Sequence, residues 1–325
     1  MLRDMSRPAT ILIQLDLPDS LIAEIRRAAP GARLITRAEA KQEPELWRTV
    51  EVMLTHKFKL ERLNDAPALR WIQTQGAGVE WLLTPEVRAR KELTVTNASG
   101  VHAEPIAEHV FGLMLALSRR LPEVLALQRE RRWDTAPFLK DVPTLAGATL
   151  GILGVGAIGL HVAQLGAAFG MRVLGLRRGG EPAPHVERMF GPSELHALLR
   201  ESHYVVNALP ATDATRGLIG PAELAAMRAD AILINIGRGT TVQTDALVSA
   251  LRERRIRGAG LDVTDPEPLP SEHPLWTVPN VIITPHFSGG RPDYYQRAVA
   301  IFTDNLRRYA AGEALRNVVD VHEGY

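Results

Sequence analysis

The sequence predicts an α/β protein built from two parallel sheets, each wound by helices. Three observations carry this. The chain has 325 residues, 46% of them hydrophobic, which is enough for two cores. Apolar runs of strand length alternate with helix-length segments along nearly the whole chain, the pattern of parallel sheets covered on both faces. A glycine-rich turn, Gly154-Val-Gly156-Ala157-Ile158-Gly159, stands mid-chain between an apolar run and a helical one, with a domain's worth of residues before it.

Taken in order, the first strand is Thr10-Ile-Leu-Ile-Gln-Leu15, followed by a helix over 20–29 that Pro30-Gly31 closes. Short strands follow at 33–36, 50–55, 69–74 and 93–96. A helix over 103–120 carries Pro105 in its first turn, where a missing N–H costs nothing. It is apolar almost all round, so it should be buried. From Thr149 a second alternating run begins. Strands are expected at 149–153, 171–176, 203–208, 231–236, 258–262 and 280–284, with helices at 158–169, 193–200, 221–228 and 244–255. Six parallel strands opened by a glycine turn is the Rossmann count. A last amphipathic helix over 292–311 has no strand of its own to cover, so it should return to the first domain. The division expected is therefore a discontinuous first domain, 1–98 with 290–325, and a nucleotide domain, 99–289.

The glycine turn has a physical reading. Gly154 permits the tight turn, Gly156 lets the backbone approach a pyrophosphate, and Gly159 lets helix and strand pack closely. Ala157 and Ile158 lead into the helix, whose free N–H groups and partial positive charge suit phosphates.

Composition excludes several other classes. Thirty-eight Lys and Arg against 37 Asp and Glu give a net charge of +1, so no global field favours nucleic acid or an anionic membrane. With no cysteine there is no disulfide, thiolate metal site or cysteine nucleophile, which suits the cytoplasm. The N-terminus lacks a signal-peptide core, and the apolar stretch 110–117 is far too short to span a bilayer. The histidines show no metal-ligand pairing, and no metal is expected.

Three late strands end in reactive side chains. Leu233-Ile-Asn-Ile236-Gly237-Arg238-Gly239 ends in an arginine between glycines. Ligands bind outside the carboxyl ends of such strands, where a guanidinium fork suits a carboxylate, although a surface turn arginine would read the same. Gly260-Leu-Asp262-Val-Thr-Asp265-Pro-Glu267-Pro268 ends in carboxylates, and Val281-Ile-Ile-Thr-Pro285-His286 ends in histidine. A carboxylate beside a histidine favours its protonated form, and such a pair can give a proton to a carbonyl oxygen or take one from an alcohol.

In this ordered set the chain resembles the NAD(P)-dependent D-isomer-specific 2-hydroxyacid dehydrogenase family, over nearly its whole length. Leu69-Arg-Trp-Ile-Gln-Thr-Gln-Gly76-Ala77-Gly78-Val-Glu is similar to the family's substrate-carboxylate loop. Asn97-Ala-Ser-Gly100 through Ala107-Glu108-His109 is similar to its interdomain segment. The glycine turn, Ile236-Gly-Arg238-Gly, Asp262…Glu267-Pro and Thr284-Pro-His286 follow in family order. The resemblance implies a flavodoxin-like substrate domain and a Rossmann cofactor domain. It implies Arg238, Glu267 and His286 as the catalytic set, Gly76, Ala77 and Gly78 as a carboxylate nest, and Ile236 and Asp262 on the cofactor side. Strand-end capping is the alternative account of Asp262. Pro210, in Asn207-Ala-Leu-Pro210, matches the family's cofactor loop but also reads as a strand-ending proline. The resemblance further implies a homodimer joined through the cofactor domains, with helix 103–120 a candidate element. Trp133 resembles a position near the dimer interface, although it could instead cap a local core.

The second nucleotide-domain strand departs from an NAD-preferring pattern. An acidic residue is expected about twenty positions past the glycines. The chain instead continues Leu176-Arg177-Arg178-Gly-Gly180, and two arginines would attract a 2′-phosphate. NADP is therefore the expected cofactor, with NAD as the alternative; a solvated basic turn is the competing account of the arginines. His56-Lys57-Phe58 follows a first-domain strand and is a candidate for reading the substrate's side chain. The leading expectation is an oxidoreductase of small D-2-hydroxyacids and 2-oxoacids, such as glyoxylate or hydroxypyruvate. One alternative is a phosphoglycerate-dehydrogenase-like biosynthetic enzyme, disfavoured because no long extension follows Tyr325. The other is a non-catalytic nucleotide-sensing corepressor-like scaffold, disfavoured by the complete Arg, Glu and His set.

Overall fold

The computed structural model describes residues 9–56 and 58–322. The chain divides into two compact units, Met1–Val101 with Arg291–Tyr325, and His102–Gly290. Both are α/β units around parallel sheets.

In the first unit, β1 (Thr10–Ile13), β2 (Arg33–Thr36), β3 (Val52–Thr55), β4 (Trp71–Thr74) and β5 (Thr94–Thr96) pair in the order β2-β1-β3-β4-β5. Strands β3 and β4 are buried at every position, as a sheet covered on both faces requires. Helix α1 (Asp19–Ala28) packs on the last helix, α10 (Tyr294–Ala311). From β4, Trp71 meets Phe302 and Tyr309 of α10 at ring-centroid distances of 5.3 and 5.4 Å. The C-terminal helix is thus part of this unit's core. Trp47, Leu63, Ile72 and Val95 fill a second core of the unit, flanked by the short helices α2 (Arg37–Gln42) and α3 (Pro85–Ala89).

In the second unit, α4 (Ala103–Ser118) and α5 (Leu121–Arg129) precede the sheet. The strands are β6 (Thr149–Leu153), β7 (Arg172–Leu176), β8 (Arg188–Phe190), β9 (Tyr204–Asn207), β10 (Ile232–Asn235), β11 (Gly258–Leu261) and β12 (Val281–Ile283). All pairings are parallel, in the order β12-β11-β10-β9-β6-β7-β8. Helices α6 (Ala157–Ala168), α7 (Leu195–Glu201), α8 (Pro221–Ala226) and α9 (Thr244–Arg252) connect them. Six strands were expected and seven are present. The extra strand, β8, is a three-residue edge strand, too short to show a period in sequence. The helix expected over 103–120 stops at Ser118, because Arg120 adopts a left-handed conformation (φ 53°) and starts α5. Helix α5 was not anticipated: its apolar residues Leu121, Val124 and Leu125 are exposed, so no core of this chain marks its stripe. Helix α4 is buried along most of its length and packs on α6, β10, β11 and β12. Among the described residues no helix is long and apolar enough to cross a membrane.

Candidate active site

Every candidate residue of the second unit sits at a carboxyl end of its parallel strands, in the loop that follows, or in the first turn of α6. The turn after β6 is the first. Gly154 adopts φ +96°, a conformation that favours glycine, and its N–H donates to the Leu176 carbonyl at 3.0 Å. A Cβ on Gly159 would collide with the Gly154 carbonyl, so this glycine lets α6 close on the turn. Gly156, the N-cap of α6, is different: a Cβ there would meet nothing within 4 Å. The backbone is bare on that side, which is what a pyrophosphate needs for close approach. Ala157 opens the helix, and Ile158 and Ile236 pack in the apolar core beneath. These residues fit a dinucleotide.

After β7 the two arginines part company. Arg177 turns inward: its guanidinium donates to the Glu181 and Pro182 carbonyls at 2.6 and 3.2 Å and pairs with the Glu181 carboxylate at 3.2 Å. Arg178 is exposed. The sequence shows no acid at the strand end, yet the loop folds Glu181 back onto it, against Gly179. After β9, Pro210 accepts a hydrogen bond from Thr215 at 2.6 Å that shapes its loop.

Arg238 leaves β10 held from three sides. A Cβ on Gly237 would lie 2.5 Å from the Leu209 carbonyl, and one on Gly239 would collide with the Thr264 carbonyl. The turn is thus wedged between the exits of β9 and β11. Beneath it, the paired strand-final asparagines meet, Asn207 donating to Asn235 at 2.9 Å and to Thr241 at 2.6 Å. Asn235 and Thr241 donate in turn to the Arg238 carbonyl at 3.2 and 2.6 Å. This buried network was missed in sequence; its signal is an asparagine ending two apolar strands.

His286 and Glu267 meet: Nδ1 lies 2.6 Å from Oε1, with both side chains about half exposed (48% and 42%). An ionised carboxylate only accepts, so Nδ1 carries the hydrogen and Nε2 is the ring nitrogen that Glu267 does not engage. His286 has φ +50°, unusual for a residue with a side chain. Asp262 holds that loop. It is 2% exposed, and its two oxygens accept from the Phe287 and Ser288 N–H groups at 3.1 Å each and from the Thr284 hydroxyl at 2.6 Å. Its carbonyl accepts the His286 N–H at 2.9 Å. Behind it stands His109, whose protonated form burial disfavours, against the opposing pull of Asp262.

In the first unit, Gly76, Ala77 and Gly78 follow β4. The carbonyl of Gly76 accepts from Thr74 at 2.9 Å and that of Ala77 from Asn97 at 2.9 Å. The N–H groups of 76–78 meet no acceptor among the described residues. Carbonyls tied back and N–H groups left over are what an anion nest would need. His56 follows β3 and is exposed, Lys57 lies outside the described residues, and Phe58 packs between Trp47 and Trp81.

The family model described as "D-isomer specific 2-hydroxyacid dehydrogenase, NAD binding domain" matches residues 111–288. A glyoxylate reductase of Aeropyrum pernix is 38% identical over 275 residues, which is 82% of this chain and 81% of that protein. A crystal structure of a D-isomer-specific 2-hydroxyacid dehydrogenase of Xanthobacter autotrophicus Py2, in complex with NADPH and MES, is similar with a TM-score of 0.85 at 30% identity, covering 98% of this chain and 100% of that one. An NADPH-dependent glyoxylate/hydroxypyruvate reductase of Sinorhizobium meliloti, in complex with NADP and sulfate, gives a TM-score of 0.83 at 26% identity over 98% and 100% of the two chains.

Proposed function

The chain belongs to the D-isomer-specific 2-hydroxyacid dehydrogenase family, and from that premise we propose that it reduces a small 2-oxoacid such as glyoxylate or hydroxypyruvate, with NADPH as the preferred hydride donor and NADH as the alternative. The observation that carries this is the 2.6 Å contact between His286 and Glu267, set at the same sheet edge as the bare glycine turn and Arg238.

The nicotinamide supplies the hydride when bound. The chain's own residues do the rest. Gly154, Gly156, Ala157 and Gly159 shape the pyrophosphate cradle, with Ile158 and Ile236 as its floor and Pro210 on its flank. Arg178 meets the 2′-phosphate, and Arg177 braces the loop that presents it. Arg238 holds the substrate carboxylate with its planar fork and polarises the 2-oxo group. In the first unit, the N–H groups of Gly76, Ala77 and Gly78 suit a substrate carboxylate, and His56 is the candidate for reading the substrate's side chain. His286 delivers the Nε2 proton to the oxygen that gains charge at C2, and Glu267 stabilises the imidazolium and fixes the ring. Asp262 serves the nicotinamide end through the loop it pins.

A homodimer and a cytoplasmic setting are part of the same reading. The first is supported by the exposed Leu121, Val124 and Leu125 of α5, with Trp133 at 97% and Leu139 at 76% exposure beyond it. Sedimentation of the parent and of a Val124→Glu, Leu125→Glu variant tests it: a monomer in both refutes the dimer. The second rests on a sequence without cysteine and is checked by cell fractionation.

The deciding experiment is an NADPH-oxidation screen over a panel of 2-oxoacids, repeated with NADH. Turnover of short 2-oxoacids is expected. Tight cofactor binding with no turnover of any of them overturns the reading and favours a nucleotide-sensing scaffold.

A further inference from the structure

The loop that carries His286 is held by a relay that begins on a different element. His109, on α4, places Nε2 3.0 Å from the Thr284 hydroxyl oxygen. Thr284 has one hydroxyl hydrogen, and it goes to the Asp262 carboxylate at 2.6 Å. The Thr284 oxygen therefore accepts from His109, which fixes the imidazole as the Nε2–H tautomer. Its Nε2 also stands 3.8 Å from the same Asp262 oxygen. The His109 ring meets the Phe287 ring edge-on, with centroids 5.2 Å apart at 78°. Asp262 in turn accepts the Phe287 and Ser288 N–H groups. The relay thus converges on Thr284, Phe287 and Ser288, which flank His286 on either side.

The arrangement is costly without a purpose. The His109 side chain is 16% exposed, on a helix whose neighbouring positions Ile106 and Val110 are apolar core. A polar ring buried there is unfavourable unless its N–H is used. His286 must also hold φ +50° with a side chain that is half exposed. A strained, exposed residue keeps one conformation only when its surroundings over-determine it.

We propose that His109 is a positioning residue for proton transfer: through Thr284 and Asp262 it locks the 284–288 loop so that the imidazole of His286 stays on Glu267 and aimed at the substrate oxygen. This rests on the reading of His286 as the proton donor. His109 touches neither substrate nor cofactor in this role. Its work is to deliver one N–H to Thr284 and one ring edge to Phe287.

The test compares His109→Leu, His109→Gln, Thr284→Val and the double variant His109→Leu, Thr284→Val in the full-length protein. Each is assayed with NADPH and the best 2-oxoacid, alongside thermal melting. His109→Leu should lower kcat by about tenfold or more, since small misplacements of a catalytic group cost up to about a hundredfold, with both KM values within about twofold. His109→Gln, whose amide can still donate to Thr284, should recover kcat to within about threefold. The double variant should be no slower than Thr284→Val alone, because both cut one relay. A kcat for His109→Leu within about twofold of the parent overturns the proposal. So does a His109→Gln variant as slow as His109→Leu, or additive losses in the double variant, which would mean only general loss of packing. His286→Asn separates the two readings. If it keeps turnover, the assignment of the acid has failed; if it loses turnover while His109→Leu does not, only the relay has failed.

Discussion

Nδ1 of His286 lies 2.6 Å from Oε1 of Glu267, and neither side chain is buried. The pair is therefore built to orient a ring at an open site rather than to stabilise a core, since exposed ion pairs contribute little to folding. His286→Asn keeps a side chain of similar polarity but has no proton to give at neutral pH. Expected is a fall in kcat of about a hundredfold to ten-thousandfold, the usual share of general acid catalysis, with cofactor affinity near that of the parent. Steady-state kinetics with a cofactor titration checks it; near-normal turnover would end the assignment.

Gly156 and Gly239 offer opposite outcomes for one chemical change. A Cβ at 156 meets nothing within 4 Å, whereas one at 239 collides with the Thr264 backbone. Gly156→Ala loses a favoured N-cap residue but lowers unfolded-chain entropy, effects of about 1 kcal/mol that oppose each other. Its melting temperature should move little while the KM for NADPH rises tenfold or more, because the methyl group fills the pyrophosphate approach (about 1.4 kcal/mol per tenfold). Gly239→Ala should lose about 2 kcal/mol of stability and most of its activity through the displaced Arg238 turn. Equal melting temperatures for the two variants, or an unchanged KM at 156, would contradict this account of the turns.

Much of this was legible in sequence, and the reasons differ by residue. Buried parallel strands such as β3, β4 and β9 are continuous apolar runs, so they stand out. The placement of Arg238, Glu267 and His286 beyond the strand ends follows from where such sheets bind ligands. What the sequence hid is contact at a distance. Glu181 returns to Arg177 through a loop, and His109 reaches Thr284 from 175 positions away. Helix α5 was invisible because its apolar residues stay exposed, so no core marks its stripe. The Asp262 pattern, an acid ending an apolar strand, was visible, but not that both its oxygens serve the loop of His286.

The arginines after β7 make separate contributions to cofactor choice. Arg177 is occupied by Glu181 and Pro182, and Arg178 is exposed. Arg178→Ala should lower the ratio of kcat/KM for NADPH over NADH by about tenfold to a hundredfold, the worth of a charged hydrogen bond to phosphate. Glu181→Gln removes the acid that neutralises Arg177, so the same ratio should rise. A parent enzyme that clearly prefers NADH, or a ratio unmoved by both substitutions, would show that this basic turn does not read a 2′-phosphate.

Acid should weaken the second unit through its buried histidines. His203 accepts the Thr149 N–H on Nδ1 at 3.0 Å, at the start of β6, so it must be unprotonated there. Its pKa is lowered chiefly by burial and further by Arg228, with Asp230 opposing; His109 is lowered by burial too. The unfolded chain then binds more protons than the folded one below the ordinary histidine value of about 6.5. Stability contributed by the neutral rings is therefore full above that value and is lost as pH falls through the folded values. The melting temperature should drop between pH 7.5 and pH 5.5. His203→Gln, whose amide oxygen can still accept from Thr149 but cannot titrate, should flatten that slope. A variant with the parent's full pH dependence would rule out His203 as a source of the acid sensitivity.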